Sequence, residues 1–193
     1  MQGIWQSPWR ALGAGAVSTL AVILVWLVAW GSQWQDVYLP GLAMVIVRFV
    51  HVLAAMVWIG LVWYVSFVQL LAVEELDAAG KAAIHRSVAP RAAFWFRHMS
   101  TLTLASGIVL ALFTSYLTFG GFGTPRAALL ALAMLGGLVM WVLVHLVIWP
   151  AMQLVLAGGG DAAALGKARM TVMTYARVNL MLALPVTFAM VGA

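Results

Sequence analysis

The sequence predicts an all-α fold, a polytopic bundle of five transmembrane helices forming a single membrane domain over residues 1–193. Three observations carry that prediction. Hydrophobic residues make up 65% of the 193 and charged residues 8%, against about 25% charged in an ordinary soluble domain. Mean hydropathy is +1.06. The apolar residues form long continuous runs, where strands of a membrane barrel would alternate, and in lipid every backbone amide must be satisfied internally, which helices achieve alone.

The first run, Ala11 to Trp30, has the length of a hydrocarbon core and exceeds the usual h-region of a signal peptide, so it reads as helix one. Ser32 to Tyr38 is polar and ends it. Pro40 and Gly41 open a second run that continues to Val73, about 50 Å as helix, longer than the bilayer requires. The charged segment EELDAAGKAAIHRSVAPR reads as a surface loop with room for a short helix. Helix three is expected over 89–117, the Gly/Pro turn FGGFGTP follows, helix four covers 126–156, GGGDAAALG forms a loop, and helix five covers 167–191.

Arg10, Lys81, Arg86, Arg91, Lys167 and Arg169 fall on one side of this arrangement, and Arg126 on the other. The positive-inside rule makes the richer side cytoplasmic, with the N-terminus inside, the C-terminus periplasmic and the bacterial inner membrane as the location. The net charge of +5 is scattered and forms no patch that tracks a phosphate backbone, so the expected partner is the bilayer and not nucleic acid. No cysteine is present, which excludes disulfides, thiolate centres and covalent c-type haem. Ten of the 11 methionines are spread over four helices, and the five acids all fall in or beside loops, so neither a copper path nor an acidic proton relay is indicated.

Ionisable side chains inside a membrane are costly and mark function by default. They are Arg48 and His51 on helix two, Arg97 and His98 on helix three, His145 on helix four and Arg177 on helix five. Helices three and four are antiparallel about a turn centred near residue 122, and His98 and His145 lie almost equally far from it, so they share a depth. Two imidazoles at one depth on facing helices form the arrangement that clamps a haem b iron, and Gly107, Gly136 and Gly137 would admit a flat macrocycle. The alternatives are one interhelical hydrogen bond for each histidine, or His98 snorkelling toward the cytoplasmic interface with Arg97. His51 sits about 15 Å below the other surface, and Arg48, one turn away, would suit a propionate or a quinone carbonyl. His51 is thus a third candidate ligand, for a second haem or metal, with Ala55 and Trp58 along the same face. Its alternative is a buried Arg and His hydrogen-bonded to loop carbonyls.

RFVHVLAAMVWIGLVWYVSF resembles the opening motif of the membrane domain of cytochrome-c-linked urate hydroxylases, the urate oxidase N-terminal family. FWFRHMSTLTLASG, VIWPAMQ and NLMLALPVTFAM resemble that family's third-helix motif, its Ile-Trp-Pro helix end and its Asn-Pro-Phe-Met element, in order. The resemblance covers helices two to five and implies a redox membrane protein passing electrons toward cytochrome c. The matched positions are Arg48, His51, Trp58, Gly60, Trp149, Pro150, Asn179 and Pro185, while Met99 stands where the family has an acid. The His-x6-Trp helix is also similar, more faintly, to the membrane protoporphyrinogen IX oxidase family, whose intramembrane lysine has no counterpart here. The expected function is a haem-b-binding electron-transfer protein or subunit working between a quinone or small donor and a cytochrome c or larger respiratory complex. A porphyrinogen-oxidising enzyme and a structural subunit of a larger complex are the alternatives.

Overall fold

The structure is a computed structural model that describes residues 8–30, 39–113, 124–158 and 161–192. All regular structure among them is helical. The chain divides into two units, residues 1–43 and 44–193. Unit one contains α1, Pro8–Trp30, whose described apolar stretch is Leu12–Val25. Its side chains are largely exposed, and Ser18 and Thr19 return their hydroxyl protons to carbonyls one turn back, at 3.0 and 2.9 Å. A hydroxyl so paired can face lipid without an unsatisfied donor.

Helix α2, Leu39–Tyr64, continues without a break through a π-helical segment, Val65–Gln69, into Leu70–Glu75. The short helix α3, Ala78–Ser87, precedes α4, Ala89–Phe113. Helix α5, Pro125–Val142, passes through a second π segment, Leu143–Ile148, into Trp149–Ala157. Gly158, at φ 62°, ends it in the left-handed conformation that glycine adopts without strain. Helix α6 is Ala162–Gly192. Four spans, Gly41–Glu75, Ala78–Phe113, Arg126–Ala157 and Ala162–Gly192, are long and apolar enough to cross a membrane.

The boundaries differ from expectation in two places. The charged segment expected as a loop is mostly helix, because Asp77 accepts from Gly80 N at 2.8 Å and satisfies an otherwise free amide of α3. Helix α6 starts at Ala162 instead of Lys167 for the same reason, Asp161 accepting from Ala164 N at 2.6 Å. Most of the FGGFGTP turn and the expected end of helix three at residue 117 lie outside the described residues. Asp77→Ala is expected to weaken α3 by about 1 kcal/mol, read as roughly fivefold faster amide exchange at Gly80 and Lys81 with α4 unchanged.

Packing in the second unit rests on small residues. The buried positions of α6 are Ala168, Val172, Ala176, Asn179, Ala183 and Ala189, a stripe at helical spacing that lets neighbouring backbones approach. Helices α5 and α6 pack tightly at Gly136, where a Cβ would overlap Val186 Cγ2. The apolar core is Trp58, Val62, Met140, Val144 and Ala183. The outward faces are apolar as well, among them Leu135, Met181, Leu184 and Phe188, as a lipid-facing surface requires.

Candidate functional site

His51 is the best-positioned histidine. It comes from the middle of α2, half-buried, one turn before Ala54, the first residue of that helix's buried stripe. Its Nδ1–H donates to the carbonyl of Thr103 on α4 at 2.9 Å, with Ser106 Oγ also within reach at 3.2 Å. Ser106 spends its own proton on the Leu102 carbonyl, at 2.6 Å, so its oxygen is free to accept. These bonds fix the tautomer: Nδ1 carries the proton and Nε2 the lone pair. Nε2 has no hydrogen-bond partner among the described residues. Gly107 lies against the ring, since a Cβ there would come within 3.0 Å of Cε1.

The expected partner of His51, Arg48, is exposed. Three residues along a helix is a rotation of about 300°, enough to leave the guanidinium on the outer face while the imidazole turns inward. Ala55 is half-buried, and Trp58 is 3% exposed in the core. Its Nε1–H is buried and unpartnered among the described residues.

His145 lies in the π segment of α5 and makes the interhelical hydrogen bond that was the alternative to a haem clamp. Its Nδ1–H donates to the Trp141 carbonyl at 3.1 Å, and Nε2 meets Thr101 Oγ1 on α4 at 3.0 Å. Trp141 Nε1–H also reaches Thr101 Oγ1, at 3.3 Å, and the indole stacks on the imidazole with centroids 4.4 Å apart and planes at 24°. Thr101 can give its proton to Nε2 or to the Arg97 carbonyl at 3.1 Å, so Nε2 is engaged whether the imidazole is neutral or charged. His98 is one turn from Thr101, so the matched depth read from the sequence holds to within a turn. The side chain, however, is exposed: it folds back to donate to the Phe94 carbonyl at 2.7 Å and lies 4.1 Å from that residue's ring. A haem between His98 and His145 does not fit this arrangement, because its iron would have to displace Thr101 and slip past the stacked Trp141. Thr101→Val is expected to lower stability by about 0.6 kcal/mol, a typical membrane hydrogen bond, and to alter Trp141 fluorescence.

The other candidates are spread. Arg97 is half-buried with its guanidinium 4.6 Å above the Trp149 ring, a cation–π contact that holds the charge without an acid. Arg177 is exposed, Gly60 is exposed with open space where its Cβ would be, Pro150 begins the last part of α5, and Pro185 lies inside α6. Asn179 is fully buried, with both side-chain polar atoms unpartnered among the described residues. Sequence reasoning passed over Ser100, Thr103 and Ser106, which are all buried on one face of α4. Their spacing of three in an apolar helix was the available signal. No group of three or more His, Cys, Asp or Glu that could hold a metal ion occurs among the described residues. A bare ion needs several protein donors, whereas haem brings four ligands of its own and asks the protein for one imidazole. The donor set at His51 therefore fits a haem better than a free metal.

Comparison of the chain with protein-family models, with curated proteins and with solved structures gave no match.

Proposed function

We propose that this multi-pass membrane protein is a redox protein that binds haem b through His51, passing electrons between a quinone or small-molecule donor and a cytochrome-type acceptor. The observation that carries this reading is the His51 imidazole, held by its Nδ1–H on the Thr103 carbonyl, with no partner for its Nε2 lone pair among the described residues. A carbonyl behind a ligating histidine orients the ring and raises its basicity, the usual outer-shell support of an iron ligand. The resemblance of the Arg48–Trp58 stretch to the urate hydroxylase membrane domain supports the same position. Haem there would supply one-electron iron chemistry. The chain's own part is to hold the ring in place through Thr103, Ser106 and Gly107.

We further propose five crossings, with α1 as the first and the N-terminus on the cytoplasmic face of a bacterial inner membrane, a reading supported by the excess of Lys and Arg at the α3 end. The experiment is an absorption spectrum of the purified protein. A b-type reduced-minus-oxidised difference with a positive pyridine haemochrome is expected, and a colourless preparation that cannot be loaded with haem removes the proposal.

A further inference from the structure

The buried polar residues among those described are Gln69, Ser100, Thr103, Ser106 and Asn179. They follow one another along the interior of the bundle. At the end that carries α3, a cavity of about 60 Å³ is bounded by both π segments, through Val65 and Gln69 on one side and Val144 and Ile148 on the other. π turns widen a helix locally and are frequent at functional sites. The walls are otherwise apolar, Arg97 and Gln69 being the polar exceptions, and Gln69 Oε1 is buried without a partner among the described residues.

Ala176 and Val62 also line the cavity. One turn further along the same face of α6 comes Asn179, and one turn beyond it Ala183, which joins Trp58 and Val62 in the core. Asn179 therefore lies between the cavity and Trp58. It is 0% exposed, and its Oδ1 and Nδ2 are unpartnered among the described residues, as is the Nε1–H of Trp58. On α4, the hydroxyls of Ser100, Thr103 and Ser106 give their protons to their own helix, at 2.9, 2.7 and 2.6 Å, and keep lone pairs for another donor. The last two positions hold His51. From Gln69 to His51 the path rises about 27 Å along α2, close to the ~30 Å thickness of a hydrocarbon core.

Orphaned donors and acceptors inside a bundle carry a desolvation penalty that bound water removes. Each water takes about 30 Å³ of liquid volume, so the cavity alone admits about two. Donor and acceptor types alternate along the lane: the Gln69 oxygen, the Asn179 amide with both, the Trp58 donor, and the serine and threonine acceptors. We propose that water occupies this lane and makes it a proton route joining the α3 end of the bundle to the surroundings of His51. A proton entering at the Gln69 end releases one at the far end by exchange of O–H bonds between waters, with no group consumed. The route goes beyond the haem proposal and requires no cofactor.

The test is side-chain hydrogen exchange, followed by NMR on ¹⁵N-labelled full-length protein in nanodiscs. The Trp58 indole and Asn179 amide protons are expected to exchange at least roughly tenfold faster than the backbone amides of the surrounding helix cores, although both side chains are buried. Asn179→Leu, which replaces the relay with an apolar group of similar size, is expected to slow exchange at Trp58 Nε1–H and at His51 Nδ1–H by roughly tenfold with backbone exchange unchanged. Gln69→Leu is expected to act in the same direction at Trp58, and it carries the test if Asn179→Leu does not fold. A Trp58 proton in the native protein as persistent as the core amides overturns the proposal, because the lane is then dry. Equal His51 exchange in native and variant protein overturns the route, whichever variant is used. A protein that binds no haem but exchanges Trp58 rapidly removes the haem proposal and leaves this one standing.

Discussion

His51→Ala is expected to abolish the b-type spectrum, with haem affinity falling by more than the roughly 10–100-fold typical of losing only an outer-shell partner of a ligand. Removing the imidazole takes away the side chain whose tautomer is set by Thr103 and whose Nε2 has no partner among the described residues. Gly107→Val gives an independent check, because it leaves the imidazole in the sequence and moves it: a Cβ would stand 3.0 Å from His51 Cε1 and 3.3 Å from Nδ1. Its expected loss is within the outer-shell range of about 10–100-fold. His98→Ala and Thr101→Val should both retain the spectrum. Haem titration into each purified variant, followed at the Soret band, measures all four. A spectrum lost in His98→Ala and kept in His51→Ala would return the site to the His98 and His145 pair.

The second large effect is mechanical. Gly136→Leu is expected to lower the unfolding free energy by at least about 3 kcal/mol, the upper end of typical overpacking penalties. The position has no Cβ because α5 and α6 meet there against Val186, and Val186 packs against the core built on Trp58 and Met140. Both helices would have to separate, opening the core that fixes α2. Gly137→Leu is the control: nothing stands within 4 Å of a Cβ at that position, so a change within about 0.5 kcal/mol is expected. Unfolding in mixed micelles of increasing denaturing detergent, followed by tryptophan fluorescence, compares the pair directly. Equal losses at the two glycines would mean that added bulk anywhere along this part of α5, and not the α5–α6 contact, sets the effect, since helix propensity alone favours leucine over glycine at both.

These two predictions differ in how far the sequence could have supplied them. Gly136 and Gly137 are adjacent and equivalent in any reading of composition, and by sequence both offer room for a macrocycle. Only the rotation of α5 against α6 separates them. The histidines follow the same logic. Equal spacing from a turn placed His145 within one turn of His98, a property of chain length that holds once the two helices are antiparallel. Whether an imidazole then faces its neighbour depends on an angle of about 100° per residue. Here that angle left His98 exposed and put Thr101 opposite His145 instead. Arg48 failed as an inward partner of His51 for the same reason.

The sequence by itself determined the helical class and the four long apolar spans, because hydrophobic run length and the cost of unsatisfied amides in lipid act locally along the chain. It also determined the short inventory of intramembrane side chains from which any site must be drawn. The tertiary structure decided the rest. It tied His51 to Thr103 and Ser106, closed the Nε2 of His145 with Thr101, and buried the polar atoms of Asn179 and Trp58 with no hydrogen-bond partner among the described residues. Hydropathy is blind to these choices. They turn on which face of each helix meets which neighbour, and that is fixed by contacts such as Gly136 on Val186 between residues fifty positions apart.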